Sequence, residues 1–436
     1  MSKFNGGNSF LLSRRSLLKN AATTSALLLA GRTLLPGGAW AAPAAPEVTA
    51  VKLGFIALTD SAPLIIAKEK GLFEKHGMPG VEVLKQASWG ALRDNLVLGG
   101  EANGIDGAHI LTPMPYLMHT GKVTQNNVPV PMTILARLNL DCQAISVAQE
   151  YKDTGVALDS SKLKAAFAAK KAAGNEVKVA VTFPGGTHDL WMRYWLAAGG
   201  INPDKDVSTI VVPPPQMVAN MKVGTMDAFC VGEPWNEQLV NQGIGFTAAT
   251  TGELWKGHPE KALGMRAEWV EKNPNAAKSL LMAVMEAQMW CEDSANKEEM
   301  AAIIGKRNWM NVPVKDIIGR LKGDINYGNG RTVSAPDLRM KFWADNASYP
   351  FKSHDTWFIA ENVRWGKFAP DTDIKALVDQ VNREDIWKAA AAELGVAAAD
   401  IPASSSRGVE TFFDGKTFDP ADPSAYLNSL SIKASS

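Results

Sequence analysis

The chain has 436 residues, of which 46% are hydrophobic and 21% charged, a composition typical of folded globular proteins and long enough for two lobes with substantial cores. Basic and acidic residues are equal at 45 each, but five of the basic residues precede the first acidic residue, Glu47. The rest of the chain is therefore mildly acidic, which argues against nucleic acid as a partner and requires any anion site to be built locally.

The first 41 residues have the pattern of an export signal. Arg14 and Arg15 form a twin-arginine pair ahead of a short apolar stretch, and "AWAAP" supplies small residues at the spacing of a cleavage point. Arg32 interrupts the apolar stretch, so a permanent membrane span is not expected. We expect residues 1–41 to be a twin-arginine signal peptide and the mature protein to be periplasmic; a disordered basic tail is the alternative.

The three cysteines argue against a disulfide framework. Cys142, Cys230 and Cys291 are odd in number and widely spaced, and none belongs to a C-x-x-C motif. No cysteine directly follows the signal segment, so the sequence does not support a lipid anchor at the mature N-terminus.

After Pro46, strand-like and helix-like segments alternate. "VKLGFIAL", "VEVLKQA" and "ANGIDGAHI" are predicted strands, separated by the predicted helices "SAPLIIAKEKGLFEKHG" and "SWGALRDNLVLGG". "PMTILARLNLDCQAISV" predicts two further strands. The lysines and alanines of "SSKLKAAFAAKKAAG" then indicate a solvated helix.

A second alternating series begins at "EVKVAVTF". The segments "VSTIVVPPP", "QMVANMKVGTMD" and "AFCVGEPW" continue it as strand, helix and strand. The stretch from "NPNAAKSLLMAVMEAQMWCED" to "NKEEMAAIIGKRNW" is helical in pattern. The tail beyond about Asn329 is mixed, with few clear strands.

Alternation of this kind predicts βαβ units with parallel sheets, arranged as two α/β lobes around a cleft. We place residues 48–142 and 245–436, with a C-terminal extension, in lobe 1 and residues 143–244 in lobe 2. Ligands of such sheets bind where the carboxyl ends of strands face the N-termini of helices. "SWG" at Trp89 and "GGTHD" at His188 hold that position, one in each predicted lobe.

The usual catalytic motifs are absent from the sequence. It has no H-E-x-x-H or G-x-S-x-G motif, and its six histidines are isolated from one another. "DGKT" resembles the end of a phosphate-binding loop, but Glu410 stands where that loop requires glycine. We therefore expect neither enzymatic activity nor a cofactor or metal site.

Several longer stretches carry a family resemblance. "ASWGALRDNLVLGG", "NLDCQAISV", "FPGGTHDLWMRYWLAAGGINPDKD", "VPPPQMVANMKVGTMDAFCVGEPWN" and "GHPEKALGMRAEWVEKNP" resemble the periplasmic nitrate-binding proteins of ABC-type nitrate/nitrite importers, relatives of the cyanobacterial bicarbonate-binding proteins. The resemblance runs from about Val51 to the C-terminal "FFDGKTFDP". It implies a two-lobed, type II-like periplasmic-binding-protein fold and a monomer that delivers nitrate or nitrite to an inner-membrane ABC permease.

The resemblance also implies the ligand contacts, which are the side chains or backbone of Trp89, Gln143, Gly186, Thr187, His188, Pro214 and Lys261. Lys261 would supply positive charge, and His188, Gln143 and Trp89 would donate hydrogen bonds, the indole also forming a flat wall. From sequence alone, each of the four also fits a purely structural role. Lys261 fits an exposed lysine beside Glu260, and His188 fits a helix-start histidine whose hydrogen bonds are satisfied locally. Gln143 fits a polar strand residue facing water, and Trp89 fits a core tryptophan.

Three alternatives to a nitrate receptor remain open. A bicarbonate receptor using calcium is the nearest one. The bicarbonate-binding relatives carry an acidic residue at the position of Lys261, whereas a lysine would repel calcium. An enzyme like the pyrimidine synthases of thiamin biosynthesis shares the fold but needs a cysteine- and histidine-rich site, which the sequence lacks. A cytoplasmic nitrate sensor conflicts with the export signal.

Overall fold

The computed structural model describes residues 45–434, so the predicted signal peptide at 1–41 lies outside the described residues. In chain order the strands are β1 (Ala50–Phe55), β2 (Gly80–Lys85), β3 (Gly107–Leu111), β4 (Met132–Arg137), β5 (Gln143–Ala148), β6 (Lys178–Val181), β7 (Ser208–Val211), β8 (Ala228–Gly232), β9 (Gly245–Thr250), β10 (Lys261–Arg266), β11 (Asp324–Asn326), β12 (Thr332–Ser334), β13 (Glu410–Thr411) and β14 (Thr417–Phe418). Ten of these strands form two five-stranded sheets, in the spatial orders β2-β1-β3-β10-β4 and β7-β6-β8-β5-β9.

Helices cover both sheets. In chain order they are α1 (Ala62–Glu69), α2 (Leu72–Lys75), α3 (Trp89–Leu98), α4 (Met114–His119), α5 (Lys164–Ala172), α6 (Thr187–Ala198), α7 (Met217–Lys222), α8 (Trp235–Asn241), α9 (Thr251–Leu254), α10 (Ala267–Lys272), α11 (Pro274–Glu292), α12 (Lys297–Ile304), α13 (Ile318–Lys322), α14 (Lys352–Arg364), α15 (Ile374–Val381), α16 (Glu384–Leu394) and α17 (Pro423–Ser429). The alternation of strands and helices predicted from sequence is confirmed along both sheets.

The prediction of parallel sheets is wrong for one strand in each sheet. β1 pairs in parallel with β2 and β3, but β10 runs antiparallel to β3 and β4. In the other sheet β6 is parallel to β7 and β8, and β5 is antiparallel to β8 and β9. The two exceptions, β5 and β10, are the strands that the chain enters directly from the opposite sheet.

The reason for this reversal is the direction of the crossing. The chain leaves β4 and β9 at their carboxyl ends, so the strand that follows begins at the edge where its new neighbours end. The crossing segments, residues 138–142 and 251–260, pair with each other through backbone hydrogen bonds, among them Asp141 N–H to His258 O at 3.0 Å. As a result, the first residues of β5 and β10 lie beside the carboxyl ends of the other strands.

The C-terminal part of the chain is mixed, as predicted, but it contains four helices that the sequence analysis did not identify. Its Ala-, Pro- and Ser-rich composition hid the four helices α14 to α17, while the prediction of few strands there is correct. Helix α14 packs against α6, where the Trp357 and Trp191 rings stack with centroids 5.0 Å apart. Trp357 also lies edge-on to Trp255, again at 5.0 Å, so α14 extends the core that surrounds the second sheet.

The predicted division into two lobes remains a prediction. Residues 45–434 form one compact unit in which β9, at 245–250, pairs with the second sheet. A lobe boundary consistent with the sheets would therefore follow residue 250 rather than 244. Within the described chain, no helix combines the length and apolar character needed to cross a membrane.

We expect Trp357→Ala to lower the free energy of unfolding by roughly 3–5 kcal/mol, because it removes a fully buried indole that contacts two others. Urea unfolding followed by fluorescence and circular dichroism measures the change. Val223→Ala is the control; its side chain is 72% exposed, and its effect should stay within about 0.5 kcal/mol. A loss of less than about 1 kcal/mol for Trp357→Ala would contradict the packing role assigned to α14.

Candidate functional site

A buried polar cluster lies where strand ends of the two sheets meet. The turn after β1 contributes Asp60, β3 contributes His109, and the second crossing segment with the start of β10 contributes Glu260 and Lys261. All four side chains are fully buried. Such a concentration of ionisable groups inside a protein requires mutual pairing, because isolated buried charges are strongly disfavoured.

Lys261 is the centre of this cluster. Its Nζ donates to Asp60 Oδ2 at 2.8 Å and to Glu260 Oε1 at 2.9 Å. Burial disfavours the ammonium, but the two carboxylates outweigh it and raise the pKa of Lys261 above its ordinary value. An ammonium has three N–H donors, so one remains after these two bonds.

Asp60 joins Lys261 to His109. Its other oxygen, Oδ1, lies 2.7 Å from His109 Nε2. Burial alone would raise the pKa of Asp60, but Lys261 and His109 hold that pKa well below its usual range. Asp60 is therefore an ionised, acceptor-only group at neutral pH.

Glu260 connects the cluster to the second sheet. It accepts hydrogen bonds from Thr187 Oγ1, at the start of α6, and from Trp191 Nε1 at 3.2 Å, one turn later. Burial raises the pKa of Glu260, while Lys261 and Thr187 oppose that rise. The carboxylate thus holds the N-terminus of α6 against the start of β10.

Around this cluster, several fully buried polar atoms have no hydrogen-bond partner within residues 45–434. They are Trp89 Nε1, His188 Nε2, His109 Nδ1, Thr59 Oγ1 and both amide atoms of Gln143. An unsatisfied buried polar atom costs about 1–3 kcal/mol, so a group of them indicates a site built for a small ligand.

Distances place Trp89, His109 and Lys261 close to one another, and Gln143 close to Asp60. The Trp89 and His109 rings have centroids 5.5 Å apart, and Lys261 Nζ lies 5.8 Å from the centre of the Trp89 ring. Gln143 opposes Gly232 across the β5–β8 pair, and a Cβ added at Gly232 would lie 3.4 Å from Asp60 Oδ2. Both sheets therefore contribute to the cluster.

His188 occupies the first turn of α6, where unpaired backbone N–H groups favour an anion. Its Nδ1 is hydrogen-bonded to Thr182 Oγ1, and its Nε2 has no protein partner. Burial, with Lys261 nearby, lowers the pKa of His188 well below its usual value, so the ring is neutral. If the Thr182 hydroxyl donates to Nδ1, Nε2 carries the hydrogen and can donate to a ligand.

The other predicted residues occupy different roles. A Cβ at Gly186 would meet Leu111 Cδ1 at 2.6 Å, so glycine allows α6 to approach β3. The Thr187 hydroxyl is already bonded to Glu260. Pro214 is buried at the start of a turn leading into α7, and the hydrogen bonds and ion pairs that assemble the cluster do not include it.

Sequence reasoning missed Thr59, Asp60 and His109, and treated Glu260 only as a surface neighbour of Lys261. The positions of these residues in the sequence could have identified them. Thr59 and Asp60 follow a buried strand, and His109 interrupts the otherwise apolar β3. Among residues 45–434, this cluster included, no group of three or more His, Cys, Asp or Glu side chains has an arrangement suited to a metal ion.

Comparison with known proteins agrees with this architecture. The chain is 64% identical over 391 residues to the nitrate/nitrite binding protein NrtA of Synechocystis sp., covering 89% of this chain and 86% of that protein. It is 44% identical over 396 residues to the bicarbonate-binding protein CmpA of Synechococcus elongatus, with coverage of 89% and 88%.

A solved structure gives the same result for the fold. The crystal structure of the periplasmic nitrate-binding protein NrtA from Synechocystis superposes with a TM-score of 0.87 at 64% identity, covering 89% of this chain and all of that one. This confirms the periplasmic-binding-protein fold predicted from sequence. Residues 44–305 match the NMT1-like family. The chain therefore belongs to the NMT1-like family, in the branch that contains the periplasmic nitrate-binding proteins.

Proposed function

We propose that this protein is a periplasmic receptor that captures nitrate, and also nitrite, and delivers it to an ABC permease without catalysing a reaction. The observation that carries the proposal is the set of buried, unpartnered donors around a fixed ammonium. Enclosure of this kind suits a small ligand that is surrounded on all sides and later released unchanged.

The chemistry of nitrate matches these donors. Nitrate is small and planar, carries one negative charge and offers only acceptors, so it needs N–H or O–H groups on every side. Trp89 Nε1, Gln143 Nε2, His188 Nε2 and the third N–H of Lys261 provide them. The Trp89 indole also offers a flat face to a planar ion.

Bicarbonate is the second candidate, because it differs from nitrate mainly by carrying an O–H. That group needs an acceptor, and Gln143 Oε1 is an unpartnered buried acceptor. Two observations favour nitrate: identity is 64% to the nitrate/nitrite binding protein and 44% to the bicarbonate-binding one. In addition, the Lys261 ammonium would repel a calcium ion placed beside it.

The same proposal includes the route to the periplasm and the two-lobed mechanism. The twin-arginine segment would export the chain, and the mature protein would begin near Ala42. The two crossing segments, 138–142 and 251–260, would serve as the hinge between lobes that close on the anion. No catalytic or cofactor role is assigned to the cluster.

Titration calorimetry of the mature protein should show nitrate binding more tightly than bicarbonate, with affinity unchanged by added calcium. Micromolar affinity corresponds to about −8 kcal/mol, which a few charge-assisted hydrogen bonds can supply. Nitrite should also bind, and sulfate, a dianion facing the Asp60 and Glu260 carboxylates, should not. Tighter or calcium-dependent binding of bicarbonate would replace the nitrate assignment with the alternative.

Trp89→Phe should weaken nitrate binding roughly 10- to 150-fold, because it removes one N–H donor to an anion and keeps an aromatic ring in place. Calorimetry and thermal denaturation together separate lost binding from lost stability. Trp269→Phe, on α10 and outside the cluster, is the matched control and should bind like the parent. Unchanged affinity for Trp89→Phe would place its indole N–H outside the site.

Replacing Arg14 and Arg15 together with lysine should leave precursor in the cytoplasm, because twin-arginine export depends on that pair. Cell fractionation with immunoblotting measures the distribution. Arg32→Lys makes the same chemical change in the same segment and should leave export intact. Normal export of the double variant would refute the twin-arginine assignment.

A further inference from the structure

His109 is a buried histidine with one ring nitrogen hydrogen-bonded to Asp60 and the other without a hydrogen-bond partner among residues 45–434. Its Nε2 lies 2.7 Å from Asp60 Oδ1, and its Nδ1 has no hydrogen-bond partner among the described residues. The ring is fully buried on β3 and packs beside Trp89, whose own N–H is also unpartnered. Both rings therefore present a free polar atom inside the cluster.

The contact with Asp60 fixes the tautomer of His109. Because the Asp60 carboxylate can only accept, Nε2 must carry a hydrogen and donate it. Burial lowers the pKa of His109, and Lys261 lowers it further, although Asp60 opposes both. The ring is therefore neutral at pH 7, and its Nδ1 is a bare acceptor.

The charges of the cluster are unfavourable for a further anion. Lys261 is one cation bonded to two carboxylates, Asp60 and Glu260, and His188 is neutral. Adding nitrate to Asp60 and Glu260 would leave negative charge in excess of the single Lys261 cation within a fully buried cluster. It would also bring an acceptor-only ion to the Nδ1 lone pair, where neither partner has a hydrogen to share.

A single proton on His109 resolves both difficulties. We propose that His109 takes up one proton from solvent when an acceptor-only anion binds, which converts Nδ1 from an acceptor into a donor and adds a compensating positive charge. This inference rests on the proposed function and deepens it. The reaction is a binding equilibrium: protein, nitrate and a proton form one complex, and release of nitrate returns the proton.

Neighbouring groups are less suited to hold the proton. Both oxygens of Glu260 already accept hydrogen bonds, from Thr187, Lys261 and Trp191, and protonation would weaken these bonds by removing the charge of the carboxylate. His188 has a hydroxyl partner, Thr182, rather than a carboxylate. His109 alone of these three is bonded to an ionised carboxylate through a nitrogen that stays protonated in both states.

The same geometry makes His109 a specificity-determining residue. Bicarbonate can donate its O–H to the neutral Nδ1, so protonation of His109 would relieve the excess negative charge but give up that hydrogen bond. Nitrate binding should therefore strengthen more steeply than bicarbonate binding as pH falls. In the interval between the pKa of His109 in the free protein and its higher value in the complex, the dissociation constant for nitrate should rise about tenfold per pH unit.

The test is calorimetry of the mature protein with sodium nitrate from pH 6 to 8.5, in phosphate and in Tris. Because these buffers differ in ionisation enthalpy, the difference in observed heat counts the protons taken up. We expect close to one proton per nitrate near pH 7.5 in the parent. His109→Gln should abolish that uptake and flatten the pH dependence, whereas His119→Gln, at the end of α4 and outside the cluster, should retain both.

Each result decides the proposal. Nitrate binding by the parent without proton uptake and with a pH-independent dissociation constant would overturn it, whether or not the variants fold. Proton uptake that persists in a folded, nitrate-binding His109→Gln protein would overturn the assignment to His109. No nitrate binding by the parent at any pH would instead overturn the proposed function, and with it the ligand on which this inference depends.

Discussion

The structure depends on one buried interaction, the bonding of the Lys261 ammonium to Asp60 and Glu260. The two carboxylates come from segments 200 residues apart in the chain, the turn after β1 and the crossing segment before β10. Removing the lysine would leave two uncompensated buried carboxylates, and loss of one partner of a buried ion pair typically costs about 3–5 kcal/mol. The cluster is therefore a structural element of the first sheet as well as a site, and Glu260 links it to α6 through Thr187 and Trp191.

The position of this interaction follows from the strand order. In each sheet the strand entered directly from the other sheet is antiparallel, so β5 and β10 begin where their neighbours end. Their first residues are Gln143 and Lys261. Lys261 bonds Asp60, which follows β1, and Asp60 in turn contacts His109 within β3. If every strand were parallel, the first residue of each strand would lie at the amino-terminal end of the sheet, far from the helix N-termini that follow the carboxyl ends of the strands.

The secondary-structure elements of both sheets could be predicted from the sequence, but the buried cluster of charged residues could not. The alternation of apolar strands and helices is a local pattern, and it predicted both sheets. The antiparallel strands were missed because strand direction depends on where the chain crosses, which periodicity does not record. The helices beyond residue 350 were missed because their burial against α6 and β4 is a long-range effect.

The site residues Trp89, Gln143, His188 and Lys261 came from the family resemblance, not from spacing. Glu260, adjacent to Lys261, reads in sequence as half of an exposed pair, and only the fold shows both side chains buried.

The pairing of Lys261 changes how anion recognition works in this site. A free buried ammonium would attract any anion, including dianions, and would hold it by charge alone. Here Asp60 and Glu260 already offset the charge of the ammonium, so recognition cannot rest on Lys261 alone and depends also on the number and direction of hydrogen-bond donors. Donors set at fixed positions distinguish a planar monoanion from sulfate through geometry and through repulsion by the carboxylates. They also keep the binding energy moderate, because each bond to the ligand replaces one to water. A receptor that must later release its ligand needs a moderate affinity, and the carboxylates around Lys261 keep the affinity moderate by offsetting the charge of the ammonium.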